Sequence, residues 1–63
     1  MFEVGDRVIV TAGGMFEGWL GKVGSVNPGE VFDDGQARYG VEFDRADFPG
    51  RYGFRENELK AAA

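Results

Sequence analysis

The sequence predicts an all-β fold, a small antiparallel barrel of four to five short strands with one 3-10 turn near the C-terminus. Three observations lead there. Eleven glycines among 63 residues cut the chain into short segments, and the runs between them are rich in β-branched and aromatic residues. Two of those runs, RVIVTA and ARYGVEFD, alternate with the period of two that a half-buried strand requires. No stretch has the periodicity of a helix of useful length. Barrel closure suits such a chain, because it removes the sheet edges that would otherwise pair with other molecules.

Each element follows from its own residues. Gly5-Asp6-Arg7 reads as a turn, with the Asp6 carboxylate able to accept backbone N–H groups. In the strand that follows, Val8, Val10 and Ala12 share one face and Arg7, Ile9 and Thr11 the other. WLGKVGSVN is a second strand, but Val23 and Val26 lie three apart. They share a face only if one extra residue is absorbed at Gly24-Ser25, a β-bulge. Pro28 to Gln36 reads as a turn-rich connection, tightest at Asp34-Gly35. In the third strand Tyr39, Val41 and Phe43 point inward while Arg38, Gly40, Glu42 and Asp44 point outward. RADFPG is a loop ending in a Pro-Gly turn, RYGFR is a short fourth strand, and ENELK suits one 3-10 turn before Leu59 docks. One domain is expected over 1–60, with 61–63 a frayed tail or the remnant of an edge strand. The predicted core is Val4, Val8, Val10, Val23, Val26, Tyr39, Val41, Phe43, Phe54 and Leu59.

Composition narrows the function. A chain this short buries only ~60% of the surface its unfolded form exposes, and without Cys or His it has neither disulfide nor zinc to staple it. Nine aromatic residues must supply the packing. The same absence removes the usual bases and nucleophiles, and Ser25 has no visible activating partner, so no enzyme is expected. Asp33-Asp34 and the Asp44/Asp47 pair lack calcium-loop spacing, and no Lys-Ser/Thr follows Gly13-Gly14, so neither a metal nor another cofactor is expected. The lack of Cys, of a basic leader at Met1–Val4 and of a membrane-length apolar run makes a cytoplasmic protein the expectation, with no membrane partner. The net charge is −4. Residues 1–36 hold two cations against six carboxylates, whereas 37–63 hold five against five. That imbalance opposes nucleic acid and favours a protein with a basic or apolar surface.

The stretch VGDRVIVTAGGMFEGWLGKVGSVN resembles the KOW motif of transcription elongation factors and a large-subunit ribosomal protein family. The matching positions are Gly5, Asp6, Val8, Val10, Gly13, Phe16, Gly18, Gly21, Val23 and Val26. YGVEFD and YGFRENEL, in the second half, look like the ending of other SH3-like modules, among them photosystem accessory subunits and the nitrile hydratase β-subunit domain. The resemblance implies an SH3-like barrel and, as one function, binding to RNA or the ribosome. KOW proteins often carry basic residues around the glycine-aromatic loop; here that loop holds Glu17, and only Lys22 follows.

Two sets of residues are candidates for contact with a partner. Met15, Phe16, Trp19, Phe32 and Phe48 are large apolar side chains in loops, suited to docking a protein. Phe16 is expected to close the barrel end, while Met15 and Trp19 are expected to be touched. Arg38, Arg45, Arg51 and Arg55, with Tyr52 for stacking, would form a phosphate-contacting wall, unless they pair with Glu42, Asp44, Asp47 and Glu56. A third reading is a structural accessory subunit of a larger complex. The size and acidity suit a bacterial or phage accessory protein.

Overall fold

The structure, a computed structural model, describes residues 1–31 and 37–62, and of 27–31, 37 and 38 the backbone alone. Five strands follow in order: β1 Arg7–Val10, β2 Leu20–Val31, β3 Ala37–Phe43, β4 Tyr52–Arg55 and, after a 3-10 turn at Glu56–Glu58, β5 Leu59–Ala61. All pairings are antiparallel, in the spatial order β4-β3-β2-β1-β5. The sheet curls into a half-barrel, in keeping with the all-β antiparallel class read from the sequence, with β4 and β5 at the two ends of the strand order.

The alternation in β1 does what its period demands. Val8 and Val10 are buried, Arg7 is exposed and Ile9 is half-buried. Strand β2 carries the expected bulge: Val23 pairs with Val41 but Ser25 pairs with Gly40, so Gly24 has no partner on β3. The extra residue brings Val26 opposite Tyr39, on the face that Val23 already occupies. Gly21 lets β2 and β3 approach. A Cβ there would lie 2.7 Å from the Glu42 carbonyl oxygen and 2.8 Å from Val41 Cγ1.

Buried Val8, Val10, Val23, Tyr39, Val41, Phe43, Phe54 and Leu59 form the core. Two of the predicted members differ. Val26 is only half-buried, and Val4 is 66% exposed. The turn at Glu3–Asp6 explains Val4: Asp6 N–H donates to the Glu3 carbonyl at 3.0 Å and Glu3 N–H to Asp6 Oδ2 at 2.9 Å, leaving Val4 at the tip. Phe2 packs against the core instead, its ring edge-on to Tyr39 at 5.4 Å. Gly40, on the outward face of β3, is nonetheless buried, because the Arg51 side chain and Ser25 Oγ lie over it.

Two boundaries also move. Pro28–Val31, read as part of a connection, extends β2, and Val31 pairs with Ala37 after a register shift from Asn27. Pro28 and Gly29 fall inside that shift, where the ladder makes no demand on a proline N–H. The Asp34-Gly35 turn lies outside the described residues. At the C-terminus, Ala61 pairs with Val8 and Ala62 N–H donates to the Arg7 carbonyl at 2.9 Å. The edge strand therefore runs past residue 60, and the main chain of 61–62 is bonded rather than frayed. Ala63 lies outside the described residues.

Around Tyr39 polar groups are matched. Its buried hydroxyl donates to Glu56 Oε1 at 2.6 Å and accepts from Phe2 N–H at 3.2 Å. Leaving such a hydroxyl unpaired would cost about 1–3 kcal/mol. Burial, then the Glu56 carboxylate, pushes the Tyr39 hydroxyl above its ordinary range. The Tyr39 bond, then the Met1 ammonium, hold Glu56 below its own. The 3-10 turn is fixed by Arg55 N–H donating to Glu58 Oε1 at 2.7 Å, and by Thr11 N–H donating to the Glu58 carbonyl at 2.9 Å.

Candidate functional site

The loop between β1 and β2 turns twice on glycine. Gly14 and Gly18 have φ of +114° and +84°, conformations that other residues rarely adopt. Glu17 N–H reaches the Gly14 carbonyl at 3.3 Å, and Trp19 N–H reaches that of Phe16 at 3.0 Å. Gly18 N–H donates to the Val10 carbonyl at 2.8 Å while Val10 N–H donates to that of Trp19 at 3.0 Å, which ties the loop base to β1. The consequence is that Phe16 folds back onto the core.

Phe16 stands in an aromatic cluster. It stacks on Phe43 at 5.2 Å with 24° between the rings, and meets Trp19, Tyr52, Phe54 and Phe48 at 5.0, 5.5, 6.0 and 6.2 Å. Trp19 is half-buried, edge-to-face with Phe43 at 5.1 Å and with Phe48 at 4.9 Å. Phe48 is half-buried too, so the Arg45–Gly50 loop and the Met15–Trp19 loop meet at one rim. Met15 is the member that stands clear, at 67% exposure. Phe32 lies outside the described residues.

Arg51 and Arg55 flank inward-facing Tyr52 and Phe54 on the outer face of β4, and the backbone register puts Arg38 opposite Arg55. Arg45 belongs to the aromatic rim instead. Arg51 Nε donates to Glu42 Oε2 at 2.7 Å, and this pair lies over Gly24, where a Cβ would come within 2.5 Å of Glu42 Oε2. Arg45 Nη2 donates to Asp47 Oδ2 at 3.2 Å while its guanidinium lies 4.1 Å from the Trp19 ring centroid. Tyr52 contributes its ring to the aromatic cluster, 5.6 Å from Phe43 and 6.4 Å from Phe48.

Two features were missed in the sequence. Arg7 makes a two-pronged pair with Asp44, one bond from Nη1 to Oδ1 at 2.9 Å. The hydrogen bond from Arg7 holds the Asp44 carboxyl below its ordinary range, and that from Arg51 does the same for Glu42. Leu20 is 46% exposed on the outer face, opposite Ile9. Both follow from register, since Leu20 accepts from Asp44 N–H at 3.1 Å, and no local pattern announces a pairing 37 residues apart.

Among the described residues no three acidic side chains gather as a metal site, and no helix is long and apolar enough to cross a membrane. Comparison of the chain with protein-family models, with curated proteins and with solved structures gave no match.

Proposed function

We propose that this chain is a non-enzymatic interaction module that docks a protein partner through the rim built by Met15, Phe16, Trp19 and Phe48. The observation that carries this reading is Met15, a large apolar side chain held in solvent on a loop whose next residue is locked into the core. A rigid support lowers the ordering cost of binding, and aromatic residues with methionine are the usual anchors of interfaces. Glu17 and Asp47 border the apolar groups, and with a net charge of −4 they favour a basic partner.

The second reading, an RNA- or ribosome-binding KOW domain, rests on the resemblance and on the arginines of β4 and its flanks. Engagement of Arg51 by Glu42 and of Arg45 by Asp47 weighs against it, because a phosphate would have to displace those carboxylates. The role of a structural accessory subunit uses the same rim without a switchable partner.

Affinity capture from a bacterial lysate, with and without RNase, tests the choice. A retained protein that survives RNase and moderate salt, and is lost with Met15→Asp, supports docking through the rim. Capture that vanishes with RNase and falls steeply with salt overturns it in favour of RNA. Met15→Asp is the better probe than Trp19→Ala because Met15 lies outside the aromatic packing.

A further inference from the structure

Arg45 is held differently from the other paired arginines. Arg51 meets Glu42 at 2.7 Å, and Arg7 grips Asp44 with two prongs. Arg45 is only loosely forked onto Asp47, two residues along, by Nε at 3.3 Å and Nη2 at 3.2 Å. Its guanidinium instead sits against aromatic rings, 4.1 Å from the Trp19 centroid and 5.5 Å from that of Phe48. Those rings meet at 4.9 Å and 75°, so they form two walls of an angle, and the guanidinium that lies against them also reaches the Asp47 carboxylate.

This is the chemistry of a receptor for a planar cation. Ring faces attract cations, tryptophan most strongly, and a carboxylate matches the guanidinium fork. The walls do not depend on Arg45. Trp19 is fixed by its main-chain bonds to Val10 and Phe16 and by ring contacts with Phe16 and Phe43, and Phe48 rests on Phe16 and Tyr52. Arg45 is exposed and lies on a loop.

Building on the protein-docking reading above, we propose that Trp19, Phe48 and Asp47 form a slot for an arginine side chain of a basic partner segment. Arg45 is the chain's own occupant, displaced when the partner's arginine enters. Arginine suits the slot better than lysine, because only a planar guanidinium stacks on Trp19 while keeping both prongs for Asp47. The overall negative charge draws in such a segment.

The test uses N-acetylarginine amide as probe, with Trp19 fluorescence and the Trp19 indole N–H resonance as readouts. Circular dichroism verifies that each variant is folded. Arg45→Ala empties the slot, so this variant gives a saturable response. The parent responds at least about threefold more weakly, since its own Arg45 competes from within the molecule. Adding Asp47→Asn to Arg45→Ala removes most of the response, and N-acetyllysine amide gives a weaker one. No saturation in the Arg45→Ala variant, or equal responses in variant and parent, overturns the proposal. An equal response to N-acetylleucine amide also overturns it and marks the slot as apolar. The probe needs no partner, so the slot can fail while capture through Met15 stands, and capture can fail while the slot binds arginine.

Discussion

Replacing Phe16 with alanine separates a closing residue from one that merely decorates a loop. Complete burial makes a Phe→Ala change cost about 3–5 kcal/mol. Phe16 is half-buried, but it contacts Trp19, Phe43, Phe48, Tyr52 and Phe54, so the expected loss is about 2–3 kcal/mol. At about 0.05–0.15 kcal/mol per residue, 63 residues are stable by about 3–9 kcal/mol. The substitution therefore removes a large share of the total. Urea unfolding followed by Trp19 emission and circular dichroism reads the effect. With a slope near 1 kcal/mol per molar, the midpoint falls by about 2–3 M. Native-state emission also shifts to the red, because the ring 5.0 Å from Trp19 is gone. Met15→Ala, by comparison, stays within about 0.5 kcal/mol of the parent. If Phe16→Ala were equally mild, Phe16 would not be closing the core, and the rigid support proposed for Met15 would go with it.

Other predictions follow from the close contacts and the ion pairs. Gly21→Ala drives a methyl into the Glu42 carbonyl and Val41, and costs about 2–3 kcal/mol in the same urea assay. Gly24→Ala displaces only the exposed Arg51–Glu42 pair and costs about 1 kcal/mol or less. Glu56, Asp44 and Glu42 have folded-state pKa values lowered by their partners, so their contribution is complete above the unfolded carboxylate range. It is lost as pH falls from about 5 through the folded values, and thermal unfolding across acid pH should show that decline. Tyr39 is shifted upward, so its contribution holds below about pH 10 and fades as pH rises through the folded value; Tyr39→Phe flattens that alkaline limb.

Where the pattern is local, the sequence was readable. Val8 and Val10 alternate with Arg7 and Ile9, and the spacing of Val23 and Val26 demanded the bulge found at Gly24. The 3-10 turn lies where ENELK put it. Errors arose where hydrogen bonding overrides the alternation, whether in a local turn or across the sheet. Val4 alternates in phase with Val8, yet the Asp6 carboxylate captures Glu3 N–H and turns the chain there. Pro28-Gly29 looked like a strand end, whereas pairing resumes at Val31 because Ala37 is available across the sheet. For the candidate site, the prominence of Met15, Phe16 and Trp19 was visible in the glycine-rich loop. Phe48 was grouped with them as a docking residue, but the entry of Tyr52 into the same cluster was not visible, since it depends on how β2, β3 and β4 bring two loops to one end. Arg45 over Trp19 was equally hidden, since the two lie 26 positions apart in the chain.

On the proposed docking reading the aromatic loop is both lid and binding surface, because its residues divide the work. Phe16 lies under the rim and stacks on Phe43, and the main-chain bonds at Gly18 and Trp19 fix the turn above it. Met15 precedes it by one residue and is held out in solvent by that same turn. A flexible loop would have to be ordered by its partner, at about 0.5–1.5 kcal/mol for each side chain immobilised. Here the closure of the core has already met much of that cost at the backbone. The prediction that separates this view from a floppy loop is kinetic. If packing pre-forms the rim, Phe16→Ala weakens partner binding even under conditions where the variant remains folded, with a slower association or a faster release. If the rim forms only on contact, Phe16→Ala leaves both rates unchanged while Met15→Asp still abolishes binding. Surface plasmon resonance with the captured partner distinguishes the two, because it reads the fold-competent fraction and the rates in one titration.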